Sequence, residues 1–264
     1  MAFRTVEVSD PFYERDHLRH VTVKSTNLKG RGDLSVFVPP GCDKQKLPIV
    51  ILLHGVYGSH WAWAYKGGAH ATALKLIQQK RIRPMVLAMP SDGLWGDGSG
   101  YLPHASADYE RWIIDDVPAA ACEAAPNADP KTFFISGLSM GGYGALRLGG
   151  KYPDRFRGIS GHSSITQLEQ LKHFVEEPLA SYGPSSPEEQ CATRWLIANK
   201  QKLPPLRFDC GRDDILLDAN RKLHRDLEAA GVPHTYDEFS GAHTWPYWQE
   251  HLLDTLLFFE KCLI

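Results

Sequence analysis

The sequence lacks several features that would reveal a function without reference to a fold. It has no excess of charge of either sign: 29 Lys and Arg against 31 Asp and Glu leave a formal net charge of −2. A chain balanced in this way offers no electrostatic footprint to nucleic acid or to an anionic membrane surface, and neither partner is expected. No apolar run approaches the ~20 residues that a membrane-spanning helix needs. The N-terminal segment Phe3-Arg4-Thr5-Val6-Glu7 carries charges where a secretory leader requires an uninterrupted apolar stretch. The five cysteines (Cys42, Cys122, Cys191, Cys210 and Cys262) form no Cys-x-x-Cys pair, and an odd number cannot all pair within one chain. Idle thiols suit a reducing compartment, so a cytoplasmic location is expected. No His, Cys or Asp cluster has metal-ligand spacing, and neither metal nor cofactor is expected. Repeats, low-complexity tracts and long linkers are also missing. One domain over residues 1–264 is the expectation, compatible with a homo-oligomer.

What is present is an ordinary globular composition, 43% hydrophobic and 23% charged, on a chain long enough to bury a core without staples. His20 to Ser25 and Leu34 to Val38 alternate apolar and polar residues, as half-buried antiparallel strands do. Ile49 to Leu53, Met85 to Met89 and Thr132 to Ile135 are instead continuous apolar runs, suited to parallel strands buried on both faces. Phe156 to Ser160, Leu206 to Cys210 and His234 to Phe239 complete the strands. Helical periodicity covers roughly 68–80, 106–124, 141–151, 217–230 and 244–262. Strand alternating with helix implies a three-layer α/β sandwich, with a mostly parallel central sheet preceded by antiparallel N-terminal strands. The stretch 163–203, with Pro178, Ser181-Tyr182-Gly183-Pro184 and Pro187, breaks this rhythm and reads as a small cap insertion or a long surface excursion.

The strongest local signal is Gly137-Leu138-Ser139-Met140-Gly141. A Gly-x-Ser-x-Gly pentapeptide alone says little; its place between a buried strand and a helix is the context a nucleophile elbow requires. Glycines on both sides let the chain turn tightly enough to present the serine. A serine hydroxyl needs a base to take its proton, and an acid follows, then a histidine. Gly211-Arg212-Asp213-Asp214 closes one strand with two acids; Asp214 is favoured by its spacing from Gly211, with Asp213 open and Asp209 and Asp218 weaker. Gly241-Ala242-His243 places a histidine in a loop just before the last helix. Among the other histidines, His224 and His251 read as surface residues, His234 begins a strand, and His162 could line a pocket. All three loops follow parallel strands and should open on one edge of the sheet, where ligands bind in open α/β sheets. The N–H groups of Met140, at a helix start, and of Val56, after Leu53-His54-Gly55, are the candidate donors for a tetrahedral oxyanion.

These motifs (Leu-Leu-His-Gly, Gly-Leu-Ser-Met-Gly-Gly-Tyr-Gly-Ala, Cys-Gly-x-x-Asp-x-Leu-Leu and Gly-x-His-x-Trp-x-x-Trp) resemble the Putative esterase family of α/β-hydrolases. That family includes esterase D (S-formylglutathione hydrolase), tributyrin esterases, and feruloyl and acetyl-xylan esterases. The likeness runs from about Val50 to Trp248. It implies the α/β-hydrolase fold, with Ser139 as nucleophile, Asp214 as acid, His243 as base, and Val56 and Met140 as oxyanion donors. The loop Val56-Tyr57-Gly58-Ser59 looks closer to the tributyrin and cinnamoyl esterase branch than to esterase D proteins, whose loop is of the Leu-Thr-Cys type.

His54, Gly55, Trp61, Trp63, Trp95, His162 and Trp245 are the candidate substrate-binding residues, with Tyr65 and Tyr101 in neighbouring loops. Aromatics there would grip an acyl chain or stack on a sugar or phenolic ring. The run Asp92 to Gly100 is no nucleotide fingerprint, because it does not join a buried strand to a helix with the required spacing. The expected activity is hydrolysis of short-chain acyl esters through an acyl-enzyme. A deacylase of carbohydrate or phenolic esters, S-formylglutathione hydrolysis and a non-catalytic binding protein are the alternatives.

Overall fold

The computed structural model describes residues 3–42, 44–183, 186 and 188–263. Its strands are β1 (Val6–Val8), β2 (Leu18–Ser25), β3 (Gly30–Phe37), β4 (Leu47–Leu53), β5 (Val86–Pro90), β6 (Ala128–Leu138), β7 (Ile159–His162), β8 (Leu206–Gly211) and β9 (Thr235–Phe239). They form one sheet in the order β1-β2-β3-β5-β4-β6-β7-β8-β9. β1, β2, β3 and β5 pair antiparallel in turn, and the strands from β5 through to β9 are parallel. The fold is therefore α/β, of the α/β-hydrolase type.

Side-chain alternation explains the two cores. In β4, Ile49, Ile51 and Leu53 join one apolar cluster, while Val50 and Leu52 join the other. A strand covered on both faces has no polar positions, which is why β4 reads as a continuous apolar run. The helices α1 (Ala62–Tyr65), α2 (Ala69–Gln78) and α8 (Trp245–Lys261) cover one face. On the other lie α3 (Tyr109–Arg111), α4 (Val117–Ala124), α5 (Met140–Lys151), α6 (Ala192–Ala198) and α7 (Leu217–Ala229).

The helix expected over 106–124 is broken, for a covalent reason. Pro118 has no N–H to donate to Ile114, and the chain widens into a π turn over Trp112–Asp116. Arg155 Nη2 donates to the Ile114 carbonyl so exposed, at 2.8 Å. Pro48 likewise coincides with a register shift between β4 and β6.

The stretch 163–203 holds two 3-10 turns, Leu168–His173 and Leu179–Tyr182, followed by α6. α6 packs so closely on α5 that a Cβ at Gly150 would press on the backbone of Trp195 and Leu196. Pro184 and Pro187, which mark this stretch in the sequence, lie outside the described residues, as do Met1 and Ala2.

Candidate active site

Four loops meet at the C-terminal edge of the parallel strands, after β4, β6, β8 and β9. The loop after β6 is the tightest. Ser139 has φ 54° and ψ −117°, a conformation strained for any residue with a Cβ. Its N–H donates to the His162 carbonyl at 3.0 Å, and its own carbonyl accepts from Tyr143 and Ile165. A Cβ at Gly137 would collide with the Gly141 carbonyl, and one at Gly141 with the Leu53 carbonyl. The surrounding strands thus hold the serine in place, and the glycines make that approach sterically possible.

Ser139 Oγ stands 3.0 Å from His243 Nε2. His243 Nδ1 stands 3.0 and 2.9 Å from the two carboxylate oxygens of Asp214. Asp214 is buried and also accepts the Leu216 N–H at 2.8 Å. Asp213, its neighbour, is exposed, and its backbone N–H donates to the Gly241 carbonyl at 2.9 Å. That bond ties the acid loop to the histidine loop and turns Asp214, not Asp213, toward the imidazole. Phe174 from the insertion stacks on the His243 ring, with centroids 5.4 Å apart, and Trp248 meets it edge-on at 4.9 Å.

Val56 N–H and Met140 N–H donate to no backbone oxygen among the described residues. Met140 begins α5, where the first N–H groups of a helix lack internal partners. Val56 is oriented through His54. The Asp92 N–H donates to His54 Nε2 at 3.1 Å, so Nδ1 carries the proton and donates to the Gly55 carbonyl at 2.6 Å. In a trans peptide, holding the Gly55 carbonyl on one side points the Val56 N–H to the other. Behind this loop, the glycine-rich run Asp92 to Gly100 is a brace. Asp92 accepts the Leu94 and Ser99 N–H groups, and the Asp97 carbonyl takes the Tyr57 N–H at 2.8 Å.

A cavity of about 590 Å³ opens on these groups. Of the candidate binding residues, His54, Gly55, Trp61 and Trp245 line it. Trp63, Trp95 and His162 do not, and the sequence-based expectation is corrected for each. Trp63 is buried because its Nε1 donates to the Leu53 carbonyl at 2.9 Å, which turns the indole into the core. Trp95 packs edge-on against His104 and Tyr182, away from the cavity. His162 is wholly buried, bonded to Asp209 and Thr255. Tyr65 contacts His70, and Tyr101 is buried with its hydroxyl on the His54 carbonyl.

The wall also includes Tyr57, Lys66, Leu138, Phe174, Thr244 and Trp248, which the sequence reading did not single out as binding residues. A helical reading of 244–262 could have found Trp248, one turn beyond Thr244 on the same face. Nothing local marks Phe174: its loop is brought in by Asp97, whose carboxylate takes the Glu176 N–H at 2.8 Å. Among the described residues, no group of three or more His, Cys, Asp or Glu is placed to hold a metal, and no helix is long and apolar enough to cross a membrane.

A serine, histidine and aspartate stand hydrogen-bonded in series at this edge of an α/β-hydrolase-type sheet, and the family of the chain makes it a hydrolase of carboxylic esters. The chain belongs to the Putative esterase family, whose model matches residues 25–259. It is 27% identical over 240 residues to an acetyl esterase of Caldicellulosiruptor saccharolyticus, covering 83% of this chain and 85% of that one. It is 25% identical over 222 residues to the S-formylglutathione hydrolase of Rattus norvegicus, 78% of each chain. Among solved structures, a ferulic acid esterase superposes with a TM-score of 0.79 at 23% identity, covering 98% of this chain and 99% of its own.

Proposed function

We propose that this esterase cleaves short-chain acyl esters, with Ser139 as nucleophile, His243 as general base and Asp214 as the acid that orients it. The observation that carries the reading is the unbroken hydrogen-bonded series from Ser139 Oγ through His243 to Asp214, set on the strained elbow. Ser139 Oγ attacks the ester carbonyl carbon while its proton passes to His243 Nε2. The oxygen that becomes negative meets the N–H groups of Val56 and Met140, each such donor being worth about 2.7–4 kcal/mol in the transition state. Collapse expels the alcohol, which takes the proton back from His243. Water then attacks the acyl-enzyme with His243 again as base, and the carboxylic acid leaves. Asp214 keeps the proton on Nδ1 and stabilises the imidazolium without itself being protonated.

The aromatic wall of Trp61, Trp245 and Phe174 beside the serine supports a compact acyl group, and the acetyl esterase among its relatives points the same way. The free thiols of Cys122, Cys191, Cys210 and Cys262 fit action in the cytoplasm. Hydrolysis of p-nitrophenyl acetate, butyrate and octanoate by wild type and Ser139→Ala tests the reading. Turnover fastest on the shorter esters and lost in the variant is expected; equal activity in Ser139→Ala would sink the mechanism. The same aromatic wall favours a second reading, deacylation of phenolic or carbohydrate esters. Methyl ferulate, acetylated xylan and S-formylglutathione, assayed beside the simple esters, separate these substrate classes.

A further inference from the structure

Lys66 lines the cavity directly after α1, in company with Trp61, Trp245 and Phe174. Its Nζ rests over the Trp245 ring, 5.5 Å from the centroid, a cation–π contact that holds the ammonium beside the opening. Three other lysines are neutralised where they lie: Lys151 by Glu110 and Glu189, Lys172 by Glu169, Lys222 by Asp226. Lys66 has no carboxylate within ion-pairing distance among the described residues. It is also the one fixed charge on the cavity wall described above. Both ring nitrogens of His54 are engaged in hydrogen bonds, and His243 is bonded to the serine. The acids near the opening lie at the Tyr57 side, where Asp97 bonds to Tyr57 and to Glu176. Lys66 thus supplies the positive charge of the cavity wall, while Asp97, Glu176 and Glu177 stand near Tyr57.

We propose that Lys66 is a specificity residue that receives an anionic group at the end of the substrate remote from the scissile bond. The preferred esters are then flat aromatic ones carrying a carboxylate, with the ring against Trp61 and Trp245 and the carboxylate at Lys66. This rests on the esterase reading of the same site. An ammonium partly shielded by an indole gains more from an incoming anion than one fully in water, and loses less hydration in meeting it.

The test compares two rigid substrates, 4-acetoxybenzoate and its neutral isostere 4-acetoxybenzamide, by kcat/KM. Wild type is expected to favour the anion, and Lys66→Gln to lower that preference by about threefold to tenfold, the range of a partly exposed charge-assisted contact. Lys66→Glu should reverse the preference, and Lys75→Gln on α2 should leave it unchanged. Raising the ionic strength should erode the preference in wild type and Lys75→Gln and the reversed preference in Lys66→Glu, and change the ratio least in Lys66→Gln. Turnover of the amide in all variants, with a ratio insensitive to Lys66, would overturn the inference and leave the esterase reading standing. No Ser139-dependent turnover of either ester would overturn that reading, and this inference with it.

Discussion

Two histidine–aspartate pairs stand at the same edge of the sheet, and they are partnered differently. His243 meets Asp214 at 2.9 Å, and His162 meets Asp209 at 2.9 Å. The acids are five residues apart, one within β8 and the other just beyond it. The difference lies at the second ring nitrogen. In His162, Nε2 faces Thr255 Oγ1 at 2.8 Å, and Thr255 also accepts from Arg207 at 2.9 Å. Asp209 further accepts the Tyr247 hydroxyl at 2.8 Å, and the whole group is sealed from solvent. In His243, Nε2 faces a serine hydroxyl and an open cavity. A carboxylate beside an imidazole therefore does not mark a catalytic residue. What the other nitrogen can reach decides the matter, and the buried pair instead holds β7, β8 and α8 together.

The largest effects should separate the pairs by activity. His243→Ala is expected to lower kcat/KM on p-nitrophenyl acetate by about 10⁴-fold or more, with an unchanged melting temperature. Asp214→Asn should cost about 10³- to 10⁴-fold, because the amide cannot hold the same tautomer. Asp213→Asn should stay within about twofold, as expected for an exposed group away from the reacting atoms. Collapse in Asp213→Asn with near-normal turnover in Asp214→Asn would reverse the assignment of the acid.

The buried pair should respond in stability. Asp209→Asn takes from Arg207 the nearer of its two carboxylates, leaving Asp237 at 3.8 Å, and removes the carboxylate bonded to His162 Nδ1; it is expected to cost about 3–5 kcal/mol in urea unfolding near neutral pH. The folded fraction should keep kcat within severalfold. Burial alone would raise the Asp209 carboxyl, but the attraction and hydrogen bond of His162, the charge of Arg207 and the Tyr247 hydroxyl outweigh it and hold it below the usual range. A depressed carboxylate contributes its stability above its unfolded pKa of about 3.9 and loses it as pH falls through the folded value. The gap between wild type and Asp209→Asn should therefore be full at pH 7 and begin to narrow below about pH 4. A gap that widened in acid would mean that the pair is not ionised in the way the contacts imply.

This contrast also marks how far the sequence could be read. The buried parallel strands, the elbow and the order of serine, acid and histidine are local patterns, and each is legible from residue type and spacing. Choosing between two adjacent aspartates needs more, because the Asp213 N–H is claimed by Gly241, a residue of another loop. Aromatic direction is equally hidden. Trp61 and Trp63 are two residues apart, yet only Trp63 finds a strand-end carbonyl for its N–H and turns inward. His162 read as a pocket residue because it ends a strand at the correct edge. Its Asp209 partner lies on a neighbouring strand, where pairing depends on the register between β7 and β8.

The smallest effect tests what keeps an imidazole in place when only one of its nitrogens is committed to a fixed partner. His162 is held at both nitrogens and needs no cover. On the proposed mechanism His243 must leave Nε2 free for chemistry, and rotation of its ring is limited by packing, with Phe174 on one face and Trp248 at the edge. A stacked ring of this kind is worth about 0.5–1.5 kcal/mol, so Phe174→Ala should lower kcat by roughly twofold to tenfold. The substitution isolates the ring, because Tyr57 donates its hydroxyl to the Phe174 backbone carbonyl and that tether survives the loss of the side chain. Asp97 likewise still holds the Glu176 N–H. Stability should fall only modestly, by about 0.5–1.5 kcal/mol for the lost ring contact, since the ring is half-buried and the loop stays docked. Phe174→Leu should recover part of the rate if filling the space is enough, and none of it if a flat ring is required. An unchanged kcat in Phe174→Ala would mean that Asp214 alone orients His243, and that the insertion shapes the cavity without touching the chemistry.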